Sequence, residues 1–369
     1  LNATYEVILG RGKASVTNER WTVVGGQKDA VRVHLFDLEG LLPATDYGYE
    51  LVQLADKGVS TLATGAFRTY PAHGAHHDFW LIGDTQFDGA RRTQVLGEMV
   101  RNCGIGGGSF LVSVGDVDNV FDDFSYSYHE TFLDVLAKEG LKVPTVLVRG
   151  NHEYHGHETT QFPRHFGRPY YSFSHGDVFY FVLDTGEHAQ RLDIGDYFDE
   201  QAAWLRAEVE TDACKKARHH IVLAHAVPFF FDGVSGLDVE RIAGGGFYGD
   251  HPKCKLDLWL CGDIHCAYRW DPLARTIAGR SRVAGWKKPT RADLQQIRFP
   301  VFVNDGPNAG WAKQSATHVE ISDTAAVVTV MTPDGKTLDK VRYRWGHPFE
   351  VLESAYDHKA VIPPDPGVV

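Results

Sequence analysis

The segment Pro144-Thr145-Val146-Leu147-Val148-Arg149-Gly150-Asn151-His152-Glu153 decides how this chain reads. A β-branched apolar run stops at a glycine and delivers an amide, an imidazole and a carboxylate at consecutive positions. Runs of this length, bounded by turn residues, fit buried strands. The same punctuation recurs upstream, where Phe79-Trp80-Leu81-Ile82 ends at Gly83-Asp84 and Phe110-Leu111-Val112-Ser113-Val114 ends at Gly115-Asp116. Between these runs the spacing turns helical, over 90–102 with Val95, Met99 and Val100 on one face, and over 132–141. Such alternation predicts a sheet with helices on its faces, and ligands gather at the carboxyl ends of its strands.

Farther along, Tyr170-Tyr171-Ser172-Phe173-Ser174 and Val178-Phe179-Tyr180-Phe181-Val182-Leu183 flank His175-Gly176-Asp177 as a hairpin. The stretch 199–209 reads as a helix. His220-Ile221-Val222-Leu223-Ala224-His225 and Leu256-Asp257-Leu258-Trp259-Leu260-Cys261 read as strands that lead into metal-capable residues. Residues 319–341 are strand-rich, the tail around Pro363-Pro364-Asp365-Pro366 has no pattern, and no internal repeat is found. The first seventy residues differ in texture. Their short alternating runs, Tyr5–Leu9, Trp21–Val24 and Val31–Leu35, fit an antiparallel sandwich.

The net charge of −11 argues against a nucleic-acid scaffold or a basic membrane-surface protein. No apolar run reaches the roughly eighteen residues of a spanning helix. An apolar content of 43% suffices for a large core, and 19 histidines among 369 residues make a metal the first idea to test. The five cysteines are an odd number without zinc-site spacing. They read as small buried residues, with a Cys261–Cys266 bridge as the alternative. The chain starts at Leu1 without a signal peptide, so a leader is expected to have been removed or the chain trimmed. Asn2-Ala3-Thr4 is a formal glycosylation sequon.

Five strand ends thus carry Asp84 with Gln86, Asp116, Asn151 with His152, His225, and Asp263 with His265. One Gly-Asp turn would need only hydrogen bonding to explain it. Five in one α/β layer suit a site for two divalent ions. In order and spacing they resemble the calcineurin-like metallophosphoesterases, and within them the purple acid phosphatase branch. That signature runs Gly-Asp, Gly-Asp-x-x-Tyr, Gly-Asn-His-Glu/Asp, Val-x-x-His and Gly-His-x-His. Here it is answered by Gly83-Asp84, Gly115-Asp116, Gly150-Asn151-His152-Glu153, Val222-Leu223-Ala224-His225 and Gly262-Asp263-Ile264-His265. Leu183-Asp184-Thr185, Gln201 with Trp204-Leu205, and Val301-Phe302-Val303-Asn304-Asp305-Gly306 look like scaffold segments of the branch. Leu41-Leu42-Pro43 followed by Tyr47-Gly48-Tyr49 resembles a fibronectin type III module, the branch's usual partner.

The resemblance implies a four-layer α/β/β/α sandwich over 73–369, preceded by a small all-β, fibronectin type III-like domain over 1–72. It implies that Asp116 bridges two ions, that Asp84 and His265 hold the first, and that Asn151 and His225 hold the second. His152 would stand beside the phosphate, with Asn151, and stabilise charge or protonate the leaving oxygen. The ions would be Mn, Fe, Zn or Mg, and the reaction attack of a metal-activated water on a small phosphate mono- or diester. No Gly-x-Ser-x-Gly elbow or glycine-rich phosphate loop supports a rival hydrolase mechanism.

Departures sharpen the expectation. Asn119 stands where the purple enzymes place the iron-binding tyrosine, so no purple band is expected. Gln86 occupies a position where many related phosphoesterases place a histidine ligand; it either binds the first ion or only hydrogen-bonds its turn. Asp263 replaces the first histidine of the last motif. As a ligand of the second ion it would favour Mn, Mg or Fe(II); otherwise the site is weakened and the protein a metal- or ligand-binding one with little activity. The apolar run Ala226-Val227-Pro228-Phe229-Phe230-Phe231-Asp232 forms either an aromatic wall for a substituted ester or core packing. His155 and His157 are substitute phosphate contacts or solvated loop residues. By analogy with the fibronectin-like module, the protein is expected to be exported, and the module to bind a surface or polymer partner.

Overall fold

The computed structural model describes residues 4–9, 12–15, 18–23, 30–36, 38–55, 58–185, 196–228, 239, 241–244, 246–247, 253–280, 297–306 and 314–363. Strands β1 (Thr4–Leu9), β2 (Gly12–Ser15), β3 (Asn18–Val23), β4 (Ala30–Leu35), β5 (Asp46–Ala55) and β6 (Gly58–Arg68) carry the amino-terminal part. They pair antiparallel, in a four-stranded sheet of order β2-β1-β5-β6 and a β3-β4 ribbon. Tyr47 is buried, stacks on its cross-strand partner Phe67 and accepts a hydrogen bond from the Leu42 N–H at 2.8 Å. A tyrosine hydroxyl tied to backbone a few residues upstream is a corner found in antiparallel sandwiches.

Beyond Tyr70 the alternation read from the sequence is realised in two large sheets. One contains β7 (His77–Ile82), β8 (Phe110–Ser113), β9 (Thr145–Leu147) and later strands. The other opens with β10 (Tyr171–His175), β11 (Val178–Leu183), β12 (His219–Ala224) and β13 (Leu258–Cys261), and continues through β14 (Tyr268–Asp271), β15 (Thr276–Gly279) and β16 (Val301–Val303). The carboxyl-terminal strands are β17 (Ala316–Ile321), β18 (Ala325–Met331), β19 (Thr337–Arg344), β20 (Glu350–Ser354) and β21 (His358–Val361). The orders are β20-β19-β18-β17-β7-β8-β9 and β10-β11-β12-β13-β16-β14-β15-β21. In both, the strands that lead into the motifs run parallel: β7-β8-β9 in one, β11-β12-β13-β16 in the other.

Period-two alternation sorts each strand onto two buried faces. Phe79 and Leu81 of β7 meet Val178, Tyr180 and Val182 of β11 in the core between the sheets. Trp80 and Ile82 face the opposite way, toward helix α1 (Gly89–Cys103), whose Leu96, Met99 and Val100 cover that sheet. Phe179 and Phe181 pack outward under Phe198 and Leu205. The order is therefore helix, sheet, sheet, helix, as expected.

The helices keep their expected places with one change of form. The Asp88 side chain caps α1 by accepting from the Arg91 N–H, and Gly104 at φ 85° ends it. The helix expected over 132–141 begins earlier, as a π-helical stretch Ser125–Leu133 that passes into α2 (Asp134–Lys138). Tyr128 and Phe132, four positions apart, both lie in the core, a spacing that an ordinary α-helical turn would also place on one face. Helix α3 (Phe162–Phe166) follows, then α4 (Tyr197–Glu208), which answers the helix read over 199–209, and α5 (Asp212–Lys216). Tyr171–His175 and Val178–Leu183 form the hairpin. Cys261 and Cys266 are not bridged: their thiols point to the carbonyls of Phe302 and Arg280, and none of the five cysteines is in a disulfide. The sequon at Asn2, residues 229–232 of the run after His225 and the tail beyond 363 lie outside the described residues, while Ala226 and Val227 of that run are buried in the core.

Candidate metal centre

Each residue that the motifs singled out follows a parallel strand at its carboxyl end. Asp84, Asp116 and Asn151 follow β7, β8 and β9; His225 and the pair Asp263 and His265 follow β12 and β13. The turns are tied between neighbouring strands of each sheet by Asp84 N–H to the Gly115 carbonyl (3.0 Å), Thr85 N–H to the Asp116 carbonyl (2.8 Å) and Gly262 N–H to the His225 carbonyl (2.9 Å). Among the described residues six non-glycine positions have positive φ, and four are Asp84, Asp116, Asp263 and His265. That conformation costs roughly 1–2 kcal/mol for an L-residue and persists only where its surroundings impose it. Two glycines let the backbone close in. A Cβ on Gly150 would lie 2.3 Å from Asp116 Oδ1, and one on Gly262 would lie 2.2 Å from Asp84 Oδ2.

Asp84, Asp116 and His225 are buried and place one ligand atom each within 4.8 Å of the others. His225 donates from Nδ1 to the Val114 carbonyl (2.7 Å), which leaves Nε2 as the basic nitrogen of a neutral ring. That nitrogen faces Asn151 Oδ1 at 2.9 Å, Asp116 Oδ1 at 3.3 Å and Asp263 Oδ1 at 3.8 Å. A lone pair ringed by three oxygens is stable only with a proton or a cation among them. Burial alone would keep this imidazole uncharged, but Asp116, Asp84 and Asp263 outweigh it and hold its pKa well above the usual value. Burial pushes the Asp84 carboxyl up to about 8 despite His225, with Asp116 and Asp305 adding. Burial would raise Asp116 too, but His225 and His152 bring it down to about 2.

The other oxygen donors complete the set. Gln86 donates from Nε2 to Asp116 Oδ2 at 2.5 Å, while its buried Oε1 has no partner among the described residues. It does not bond its own turn. An orphaned amide oxygen beside a carboxylate is what a cation site leaves when described without its ion. The Asp263 N–H donates to Asp84 at 3.0 Å, and His265 Nε2 stands 3.5 Å from Asp84 Oδ1. Five oxygen-bearing side chains and two imidazoles therefore converge, a donor set that fits hard-to-borderline divalent ions.

At the rim, His152 donates from Nδ1 to the Asn119 carbonyl at 2.8 Å, so Nε2 is turned to the site, 3.8 Å from Asp116 Oδ2. Asn119 also donates to the Gln86 carbonyl at 3.2 Å and thus links these two residues. The His155 ring lies 4.8 Å from that of His152, whereas His157 stands out in solvent.

Sequence reasoning gave Glu153 no role, yet it holds the site together. Its Oε2 accepts from the Asp116 N–H (3.0 Å) and the Gly150 N–H (2.8 Å). Its Oε1 accepts from the Val117 N–H (3.0 Å) and the Tyr128 hydroxyl (2.9 Å). The available signal was an acid in a motif otherwise full of ligands. Gln201 was noted only as scaffold; it exchanges two bonds with the Asp184 backbone at 2.9 and 2.7 Å.

The comparisons with known proteins agree with this geometry. Among solved structures, a purple acid phosphatase isolated from yellow lupin (Lupinus luteus) seeds aligns over 93% of this chain and 70% of its own, with TM-score 0.60 and 14% identity. The anchor protein of the Plasmodium inner membrane complex covers 76% of this chain and 90% of its own at TM-score 0.45 and 12% identity. At such identities only the fold is shared, and the second score is too low to argue from. No curated protein sequence matches the chain. A sequence-family model described as calcineurin-like phosphoesterase matches residues 77–276, more than half of the chain, and spans every motif residue from Asp84 to His265. This chain belongs to the calcineurin-like phosphoesterase family.

Proposed function

We propose that the protein is a binuclear metal-dependent phosphoesterase that hydrolyses small phosphate mono- or diesters. Asp116 would be shared between two divalent ions, with Asp84, His265 and Gln86 toward one and Asn151, His225 and Asp263 toward the other. Such ions, when bound, supply Lewis acidity to phosphoryl oxygens and lower the pKa of water. The chain's own residues do the rest. The Val114 carbonyl keeps the His225 lone pair on Nε2. The Asn119 carbonyl likewise fixes His152, whose Nε2 can hold a proton over the site for a departing alkoxide. Asn151 and His152, with His155 behind them, form the substrate side.

The observation that carries this reading is the His225 nitrogen ringed by three oxygens beside two buried carboxylates. The test is metal analysis together with hydrolysis of paired aryl phosphate mono- and diesters, for wild type and Asp116→Asn. Two ions per chain and metal-dependent turnover lost in the variant are expected. A metal-replete wild type that hydrolyses neither ester refutes the activity. A second reading, a degenerate metal-binding protein, is favoured only by Asp263 in place of histidine. Fewer than two ions, and no change on Asp116→Asn, would select it. We further propose that 1–72 form a fibronectin type III-like domain and 73–369 the catalytic domain, and that the protein is exported; the Tyr47 corner supports the first point.

A further inference from the structure

A second cluster of ligands lies away from the phosphoesterase motifs. Cys214, His220 and Cys254 bring two sulfurs and one ring nitrogen within 4.8 Å of one another. Cys214 and Cys254 are buried, and His220 is half-buried. His220 lies toward the start of β12 and His225 just past its end, so at about 3.3 Å per residue the cluster is some 16 Å from the first site.

The three residues come from different elements and are each held in place. Cys214 sits in α5, its N–H bonded to the capping hydroxyl of Thr211 at 3.3 Å. The His220 ring donates from Nε2 to the Cys214 carbonyl at 2.9 Å, and its backbone N–H donates to Asp257 Oδ2 at 3.0 Å. The Cys254 N–H is fixed to the Gly246 carbonyl at 3.1 Å, and its thiol lies 3.8 Å from the Lys255 carbonyl.

We propose that Cys214, His220 and Cys254 form a second metal site that takes one zinc ion. Tetrahedral zinc with bonds of about 2.1–2.3 Å sets donor atoms roughly 3.5–3.8 Å apart, so donors that lie within 4.8 Å of one another would draw together by about 1 Å at most. Two thiolates and an imidazole are a soft-to-borderline set, in contrast to the oxygen-rich first site. Three protein donors leave the fourth position to a water. A disulfide between the cysteines is the rival; it would use both sulfurs and leave His220 with only its bonds to the Cys214 carbonyl and Asp257. The site would be structural. Helix α5 is only five residues long, too short to stand alone, and the ion would clip it to β12 and to the segment that leads into β13.

The test exploits the absence of sulfur from the first site. The full chain, reduced and freed of metal under anaerobic conditions, is titrated with cobalt(II). A thiolate-to-cobalt charge-transfer band saturating at one equivalent is expected. It should be lost in C214S and C254S and kept in D116N. His220→Ala should weaken zinc by at least about 100-fold, the upper end of what losing even an outer partner of a ligand costs. Because a cysteine variant can fail to fold, the wild type is also treated with a thiol-blocking reagent beside a zinc indicator, and release of one zinc per chain is expected. No charge-transfer band, a band indifferent to His220→Ala, or a purified chain two thiols short and lighter by two hydrogens would each overturn the proposal, the last in favour of the disulfide.

Discussion

Glu153→Gln is the substitution that most directly tests how the first site is built. The carboxylate accepts four hydrogen bonds: from the Asp116, Val117 and Gly150 amides and from the Tyr128 hydroxyl. Glutamine keeps the shape but has one accepting oxygen. Its best orientation leaves that oxygen on the Asp116 and Gly150 amides and turns the NH2 toward Val117 and Tyr128. The Tyr128 hydroxyl can rotate and accept; the Val117 N–H cannot. One buried donor is thus orphaned, at about 1–3 kcal/mol, and two charge-assisted bonds become neutral, at about 1 kcal/mol each. Against this stands relief of a buried charge, since burial and the neighbouring Asp116 raise the Glu153 carboxyl above its usual range. The balance is a loss of about 2 kcal/mol, a fall in melting temperature of at most about 4–8 °C. A displaced Asp116 loop should also cut turnover about 100-fold, as a misplacement near 1 Å does. Glu153→Ala, which orphans every donor, should be worse on both counts. Thermal unfolding, metal content and aryl phosphate turnover measure these outcomes. A glutamine variant equal to wild type in all three, or worse than the alanine variant, would refute the bracing role.

Other outcomes follow from the same geometry. Asp263→Ala should lower metal content toward one ion per chain, and Asp263→His should shift preference from manganese toward zinc; equal occupancy and selectivity in both variants would remove Asp263 from the ligand set. Iron-loaded protein should show no visible tyrosinate band, because Asn119 is engaged with the Gln86 and His152 backbone and side chain, and such a band in the wild type would contradict that. The stacked rings of His77 and His175, 3.9 Å apart, have pKa values lowered by burial to about 3 and about 4. They are neutral when folded and titrate near 6.5 when unfolded, so their contribution is complete above about pH 6.5 and is lost as pH falls toward 4. His175→Gln removes one of the two protons, and the slope of stability against pH between 6 and 4.5 should drop by about 1.4 kcal/mol per unit; identical slopes in urea titrations would sink the argument.

The sandwich and the strand ends were legible because they rest on local signals. Apolar runs closed by Gly-Asp, Gly-Asn or a strand-terminal histidine need no distant partner to be seen, and β7, β8, β9, β12 and β13 lie where those runs lie. The π-helical turn was not legible, since the buried series Phe124, Tyr128 and Phe132 advances by four residues and fits an ordinary α-helix equally well. Gln86 was left between two readings because an amide reveals its duty only through its neighbours: one end on Asp116, the other on none of the described residues. The cysteines misled by proximity. Cys261 and Cys266, five positions apart, diverge to separate carbonyls, whereas Cys214 and Cys254, forty apart, meet because α5 and the segment before β13 pack at the same end of β12.

The surplus of histidine first suggested a metal, but the chemistry of the first site rests on how carboxylates are held. Asp84, Asp116 and Asp263 all sit at positive φ, a conformation that aspartate tolerates better than most residues and that turns each carboxylate back over its own strand end. At 1–2 kcal/mol apiece the strain of these turns is comparable to the worth of the bonds that hold them. Those bonds are the links between neighbouring strand ends from Asp84 to Gly115 and from Thr85 to Asp116, the Asp263 amide on Asp84 between the two sheets, and the Glu153 brace. None of these is visible from one strand end alone, and a Gly-Asp turn without them would relax to an ordinary loop. The turns at Asp84, Asp116 and Asp263 become parts of one site because hydrogen bonds from neighbouring turns and from Glu153 hold their strained conformations.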